Sequence, residues 1–158
     1  MKKAFLFLIV LSACYLIKGG IPLKDEVLDY RFKRLGGGYS TLREFSEDTI
    51  LIYLFTSYCI PCIKDIEYLN REMEYFHRNG VSIIGLGMDY NGEVTLVPFR
   101  DYYNIKFPLM MADKEVFEGR WVFGQISVIP STIIIKRREN RYFIVTGNIN
   151  RDILLKNR

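Results

Sequence analysis

The sequence is poor in the residues that most often carry chemistry. It has three cysteines, one histidine and one tryptophan in 158 residues. Three cysteines are too few for a disulfide scaffold, and their odd number calls for an explanation. With 12 glycines and 5 prolines, collagen-like and low-complexity classes fail. No apolar run reaches about 18 residues, so an ordinary transmembrane helix is excluded. The net charge of +4 is mild and gives no argument for nucleic acid. What is present is a globular composition, 49% apolar and 15% aromatic, which rules out disorder for most of the chain. A chain this long buries roughly 70% of its unfolded surface, so one domain can fold without a metal or disulfide staple.

The first residues read as an export signal. Lys2 and Lys3 give a positive start, and the apolar stretch from Ala4 to Leu11 is too short to span a bilayer. Leu11-Ser12-Ala13-Cys14 follows and resembles the bacterial lipobox, in which small residues precede a cysteine that receives lipid. A plainly cleaved signal, or an uncleaved anchor continuing through Tyr15-Leu16-Ile17, fits the same residues. All three readings place the domain outside the cytoplasm. The division expected is a lipoprotein-type signal over 1–13, the lipidated Cys14 and a tether over 14–27, and one domain over 28–158. With Cys14 lipidated, a single pair of thiols remains, Cys59 and Cys62. In an oxidising compartment such a pair is either disulfide-bonded or actively kept reduced.

Hydrophobic pattern and punctuation give a coarse order of elements. Residues 28–35 can form a strand, Gly36-Gly37-Gly38 a turn, and 39–41 a short returning strand. No Lys-Ser/Thr pair follows the glycines, so a phosphate loop is rejected in favour of a hairpin. Residues 42–45 suit one helical turn. Residues 49–55 are almost wholly apolar, as a strand covered on both faces would be. Residues 61–78 read as a helix burying Ile66, Leu69, Met73 and Phe76, stopped by Asn79-Gly80. Strands follow at 81–88 and 109–111, with Pro98 opening a helix to Tyr103 between them. Asp113 caps a helix ending near Gly124 that holds Trp121 as a core residue. Strands at 131–136 and 142–146 flank a polar turn whose Lys136, Arg137, Arg138 and Arg141 face water, and Asn150 caps a last helix. Strands alternating with helices imply an α/β sheet with helices on both faces.

Between the buried strand and the long helix stands Thr56-Ser57-Tyr58-Cys59-Ile60-Pro61-Cys62. A helix N-terminus offers unpaired N–H groups and partial positive charge, and both favour a thiolate. Cys59 is therefore the expected nucleophile and Cys62, three residues on, the resolving thiol. Pro61 sits early in the helix, where its missing N–H does no harm. A structural disulfide is an alternative, though a large core makes a staple unnecessary. Two soft thiolates could also hold Cu(I). Zinc wants four ligands, and His77 lies about four turns along the helix, too far to join Cys62. It reads as a solvated side chain. A second element, Ile129-Pro130-Ser131-Thr132, precedes the apolar strand. Proline is allowed there, and an X–Pro bond at a tight turn is sometimes cis.

Together these residues resemble the thioredoxin superfamily, and within it the TlpA/ResA-like thiol–disulfide oxidoreductases of the bacterial envelope. The resemblance runs from Tyr30 to Leu155. It takes in the strand before Cys59, the Cys-Ile-Pro-Cys motif, Glu67 and Leu69-Asn70, Gly80 to Gly85, Phe107-Pro108-Leu109, and Ile129-Pro130-Ser131-Thr132. It implies a thioredoxin-like fold: a central mixed β-sheet flanked by helices, here with an N-terminal β-hairpin. It implies that Pro130 is cis, and that with Ile129 it docks substrate backbone opposite the dithiol. It implies an acidic residue three past the second cysteine that tunes the site, where Asp65 stands. Asp65 reads equally well as a first-turn carboxylate favoured by the helix dipole.

The sequence departs from the family in two places. Tyr58 stands where Trp is usual before the first cysteine. Tyr53 stands where thioredoxins carry a buried Asp, so no buried acid is evident there to relay the proton of Cys62. The expected function is an enzyme that reduces disulfides in extracytoplasmic proteins, such as apocytochrome c or copper-handling proteins. A membrane thiol reductase would supply its electrons. No cofactor beyond the Cys59–Cys62 disulfide, no metal, no nucleic acid and a monomeric state are expected, with a lipid anchor joining the protein to the membrane. Two other functions compete. One is copper delivery like that of the Sco proteins, which use a wider cysteine spacing and a distal histidine. The other is a peroxiredoxin, since Thr56-Ser57-Tyr58-Cys59 fits Thr-x-x-Cys, although Ile52 stands where that motif needs Pro.

Overall fold

A computed structural model describes residues 20–149. The export signal, Cys14 and the helix expected from Asn150 lie outside the described residues. Eight strands form one mixed sheet: β1 (Ile21–Pro22), β2 (Phe32–Arg34), β3 (Tyr39–Ser40), β4 (Thr49–Phe55), β5 (Val81–Gly87), β6 (Leu109–Met111), β7 (Ser131–Lys136) and β8 (Arg141–Thr146). Their spatial order is β1-β8-β7-β4-β5-β6-β2-β3. β4 lies at the centre, parallel to β5 and antiparallel to β7. The helices are α1 (Asp25–Asp29), α2 (Ile60–Arg78), α3 (Glu93–Tyr102) and α4 (Lys114–Phe117).

The apolar run of β4 follows from its position. Alternate side chains point to opposite faces, and both faces are covered. Ile50, Ile52 and Leu54 enter a core with Val27 of α1, Leu42 and Val116 of α4. Leu51, Tyr53 and Phe55 enter a second core with Ile66 and Leu69 of α2 and Leu96 and Phe99 of α3. This is the thioredoxin-like arrangement the resemblance implied. The expected hairpin is β2–β3, pairing Phe32 with Ser40, and Gly36, Gly37 and Gly38 turn it with φ of 92°, 107° and 78°.

Several boundaries differ from the sequence reading. The expected tether over 14–27 is partly folded: Ile21 pairs with Tyr142 of β8, and Leu23 and Val27 are buried. The strand expected over 28–35 shrinks to β2, because Asp25 and Glu26 occupy the first turn of α1, where acidic side chains favour a helix start. Pro98 does not open α3 but lies inside it. Burial of Leu96 and Phe99 on the sheet outweighs the lost hydrogen bond, and the affected residue one turn earlier, Val94, is solvent-exposed. The helix expected to run to Gly124 stops at Phe117, with Gly119 and Gly124 at positive φ. Trp121 still enters the core, donating from Nε1 to the Gly124 carbonyl at 2.6 Å. Lys136 and Arg137 are not solvated turn residues either. Lys136 is buried, and Arg137 donates to the carbonyls of Leu42 and Phe45, fastening their turn to the sheet.

Candidate active site

β4 ends at Phe55, and the chain turns through Thr56 to Cys59 into α2. The turn closes with the Cys59 N–H donating to the Thr56 carbonyl at 3.1 Å. Cys59 is the N-cap of α2, and its sulfur accepts from the Cys62 N–H at 3.3 Å. That puts Sγ against the unpaired amides of the first turn, the environment that stabilises a thiolate. Pro61 falls in the first turn, as expected. Cys59 and Cys62 are joined in a disulfide. Their exposure differs: Cys62 is fully buried, whereas Cys59 is half-buried between exposed Tyr58 and Ile60. An incoming sulfur meets Cys59 first.

Pro130 is brought to this site by register. Ser131 of β7 pairs with Leu54 of β4, so Pro130 stands level with Phe55, where the loop to Cys59 begins. The Ile129–Pro130 bond is cis, and Ile129 packs against the cluster holding Cys59 and Cys62. Val128, just before it, is exposed. Tyr58, Ile60 and Val128 thus present apolar surface from three points around the disulfide.

A buried carboxylate does lie near Cys62, on the helix and not on the strand. Asp65 is 5% exposed, not a solvated first-turn carboxylate. Its Oδ2 accepts from the Tyr53 hydroxyl at 2.8 Å, from the Asn148 side-chain amide at 3.2 Å and from the Ile149 N–H at 3.1 Å. Helical spacing of three sets Asp65 beside Cys62 on the buried side of α2. Where other thioredoxins place an acid on the strand, this chain places a phenol on the strand and the acid on the helix. Burial, and then the hydrogen bond to Asp65, push the Tyr53 phenol far above its ordinary range, so it stays protonated and stays a donor.

Sequence reasoning missed two contributors. Asp89, just past β5, is buried and takes hydrogen bonds from Ser57 N at 3.0 Å and Ser57 Oγ at 2.5 Å. It braces the loop that carries Cys59. No spacing rule links residues 57 and 89; only the parallel pairing of β4 with β5 does. Asn148 likewise reaches the site from the far end of β8. Among the described residues no group of three His, Cys, Asp or Glu side chains converges as a metal site. His77 is exposed, with Nδ1 3.2 Å from Glu47 Oε1, which gives copper no distal ligand here. No helix among the described residues is long and apolar enough to cross a membrane.

Comparison with known proteins agrees with this geometry. The chain is 18% identical to the thiol-disulfide oxidoreductase ResA of Bacillus subtilis (strain 168) over 146 residues, 92% of this chain and 79% of that one. It is 28% identical to a ResA of Bacillus cereus over 122 residues, 76% and 67% of the two chains. A thioredoxin-family thiol:disulfide interchange protein from Chlorobium tepidum TLS superposes with a TM-score of 0.67 at 17% identity, covering 88% of this chain and 94% of its own. That likeness establishes the fold. Residues 23–140 match the AhpC/TSA family, and the chain belongs to that family, as a TlpA/ResA-like protein of the thioredoxin superfamily.

Proposed function

We propose that this thiol–disulfide oxidoreductase works as a reductant of disulfides in extracytoplasmic proteins, held at the cell envelope through Cys14. The observation that carries the thiol–disulfide exchange in this reading is the asymmetry of the dithiol: a half-buried Cys59 capping α2, and a fully buried Cys62 with Asp65 one turn on. In the reduced protein the Cys59 thiolate attacks a substrate disulfide. One substrate sulfur leaves as a thiolate, and a mixed disulfide forms. Cys62 then gives its proton to Asp65 and attacks Cys59 Sγ. The second substrate sulfur leaves and takes up a proton, so two electrons have passed to the substrate and Cys59–Cys62 is oxidised. A membrane thiol reductase would restore the dithiol.

A protein substrate is favoured by the exposed Tyr58, Ile60 and Val128 around the disulfide, which suit a partner with apolar residues beside its cystine. The reductant direction and the envelope location are carried over from the likeness to ResA and the lipobox-like Leu11-Ser12-Ala13-Cys14. Peroxide reduction, the competing activity within this family, is disfavoured by Ile52, which is buried in β4 where the peroxiredoxin motif needs Pro.

The test is the reduction potential of Cys59–Cys62 in the full chain, equilibrated against thiol buffers. A value below about −220 mV supports a reductant, and one above about −150 mV overturns that direction. Cys62→Ser should trap the mixed disulfide through Cys59 and identify the partner by mass. Intact mass showing cleavage before Cys14 with added acyl groups supports the anchor, and an unmodified residue 14 removes it.

A further inference from the structure

Asp65 receives three hydrogen-bond donors, and all three go to the same oxygen. Tyr53 Oη, Asn148 Nδ2 and the Ile149 N–H converge on Oδ2 at 2.8, 3.2 and 3.1 Å. Among the described residues Oδ1 receives none. A carboxylate held this way cannot rotate without giving up all three bonds, so its two oxygens are no longer equivalent. The donors come from separate elements: Tyr53 from the middle of β4, Asn148 and Ile149 from the segment after β8. The Tyr53 ring is itself fixed, fully buried and stacked on Phe55 with centroids 6.3 Å apart.

We infer that Tyr53 is a positioning residue for proton transfer: with the 148–149 segment it locks Oδ2 of Asp65 and leaves Oδ1 as the atom that takes the proton of Cys62. The inference rests on the proposed role of Asp65 and assigns the device that orients it. Among the described residues the titratable groups placed to face Asp65 are the Tyr53 phenol from β4 and, three residues to either side on α2 itself, Cys62 and Tyr68; Asn148 and Ile149 contribute only amides. The phenol does not ionise in the working range, because burial and the bond to Asp65 hold its proton in place. Tyr53 therefore does not relay the proton. It holds the group that does.

The experiment separates the two sulfur steps in the full-length reduced protein. The probe is a symmetric aryl disulfide whose released thiolate is coloured. Attack by Cys59 releases the first thiolate, and attack by Cys62 on the mixed disulfide releases the second. The first phase reports that the loop and nucleophile are in place; the second reports the loss of the Cys62 proton. Tyr53→Phe keeps the ring and removes the donor. The expected result is a second phase slowed about tenfold, the scale of one hydrogen bond to a charged group. The pH profile of the second phase should change with it, while that of the first phase stays in place. Tyr53→Phe should add nothing in an Asp65→Asn background.

Asn148→Ala removes a second donor to the same oxygen from an exposed position, and it decides the matter should Tyr53→Phe fail to fold. It should slow the second phase in the same direction by less. A folded Tyr53→Phe protein, or failing that Asn148→Ala, with an unchanged second phase overturns the inference. So does a lower plateau with its half-maximal pH in place, since that is the signature of a merely structural role. An Asp65→Asn protein with an unchanged second phase overturns the reading beneath it, the role of Asp65 itself.

Discussion

The loop that carries Cys59 should depend on one remote carboxylate. Asp89 is 4% exposed, and among the described residues the hydrogen bonds to its carboxylate all come from Ser57: the backbone N–H at 3.0 and 3.3 Å to its two oxygens, and the hydroxyl at 2.5 Å. Ser57→Ala removes the hydroxyl and leaves a buried charge with a single shared N–H. Hydrogen bonds to charged groups contribute about 1.5–3 kcal/mol, and a buried acceptor left short of donors adds its own desolvation cost. A loss of about 2 kcal/mol is therefore expected, equivalent to roughly 6–10 °C in Tm for a domain of this size. Urea unfolding of the oxidised protein at neutral pH measures the first, and thermal melting followed by circular dichroism the second. A double-mutant cycle with Asp89→Asn isolates the pair and should return a coupling of at least about 1 kcal/mol. The Cys59 N–H bonds to Thr56 O within the same loop, so alkylation of reduced Cys59 should change in Ser57→Ala as well. A stability change under about 0.5 kcal/mol, the ordinary scatter of surface substitutions, together with no coupling, would refute the reasoning.

Three further outcomes are expected. Gly87→Ala places a Cβ against both methyl carbons of fully buried Leu96, and overpacking there should cost about 1–3 kcal/mol in chemical denaturation, while an unchanged midpoint would show that α3 can shift. Burial first, then the nearby Asp113 and Glu115 carboxylates, push the Tyr30 phenol up to about 12. Because its folded value is raised, its contribution is whole below about pH 10 and is lost as pH rises towards 12; ultraviolet titration in Asp113→Asn should find an earlier ionisation. The Ser82 hydroxyl holds the Glu47 carboxyl below its usual value, with His77 assisting. A lowered folded value stabilises above the unfolded one, near 4.5, and that stability fades as pH falls through it. Ser82→Ala should therefore cost more at neutral pH than at about pH 3, and equal losses at both would contradict the assignment.

Much of the molecule follows from order along the chain. A seven-residue apolar run at β4, a helix with a three-four repeat and Cys-Ile-Pro-Cys at their junction specify a buried strand feeding a helix N-terminus. Once those are given, Cys59 stands at the helix N-terminus and Cys62 three residues on, within reach of it. Pro130 was not legible in the same way: a proline opening an apolar strand says little by itself, and only the resemblance to the family marked it as cis and opposite the dithiol.

The parts that were not legible are those where a local signal loses to distant packing. Pro98 reads as a helix start, yet α3 extends a turn before it because Leu96 and Phe99 bury against the sheet. Lys136 and Arg137 read as solvated turn charges, yet Lys136 is buried in β7 and Arg137 donates to the carbonyls of Leu42 and Phe45, which the fold lays beside it. Asp65 is marked by its place three residues past Cys62, but its burial and its bond to Tyr53, the residue standing where an acid is usual on β4, are not written in that spacing. By itself the sequence determined the central strand and the dithiol, because both rest on periodicity and short spacing. The tertiary structure alone decided that Tyr53, Asp65 and Asn148 share one oxygen and that Asp89 braces Ser57. Those contacts join residues 12, 83 and 32 positions apart, and only the packing of β4 among β5, β7 and α2 brings them within hydrogen-bonding distance.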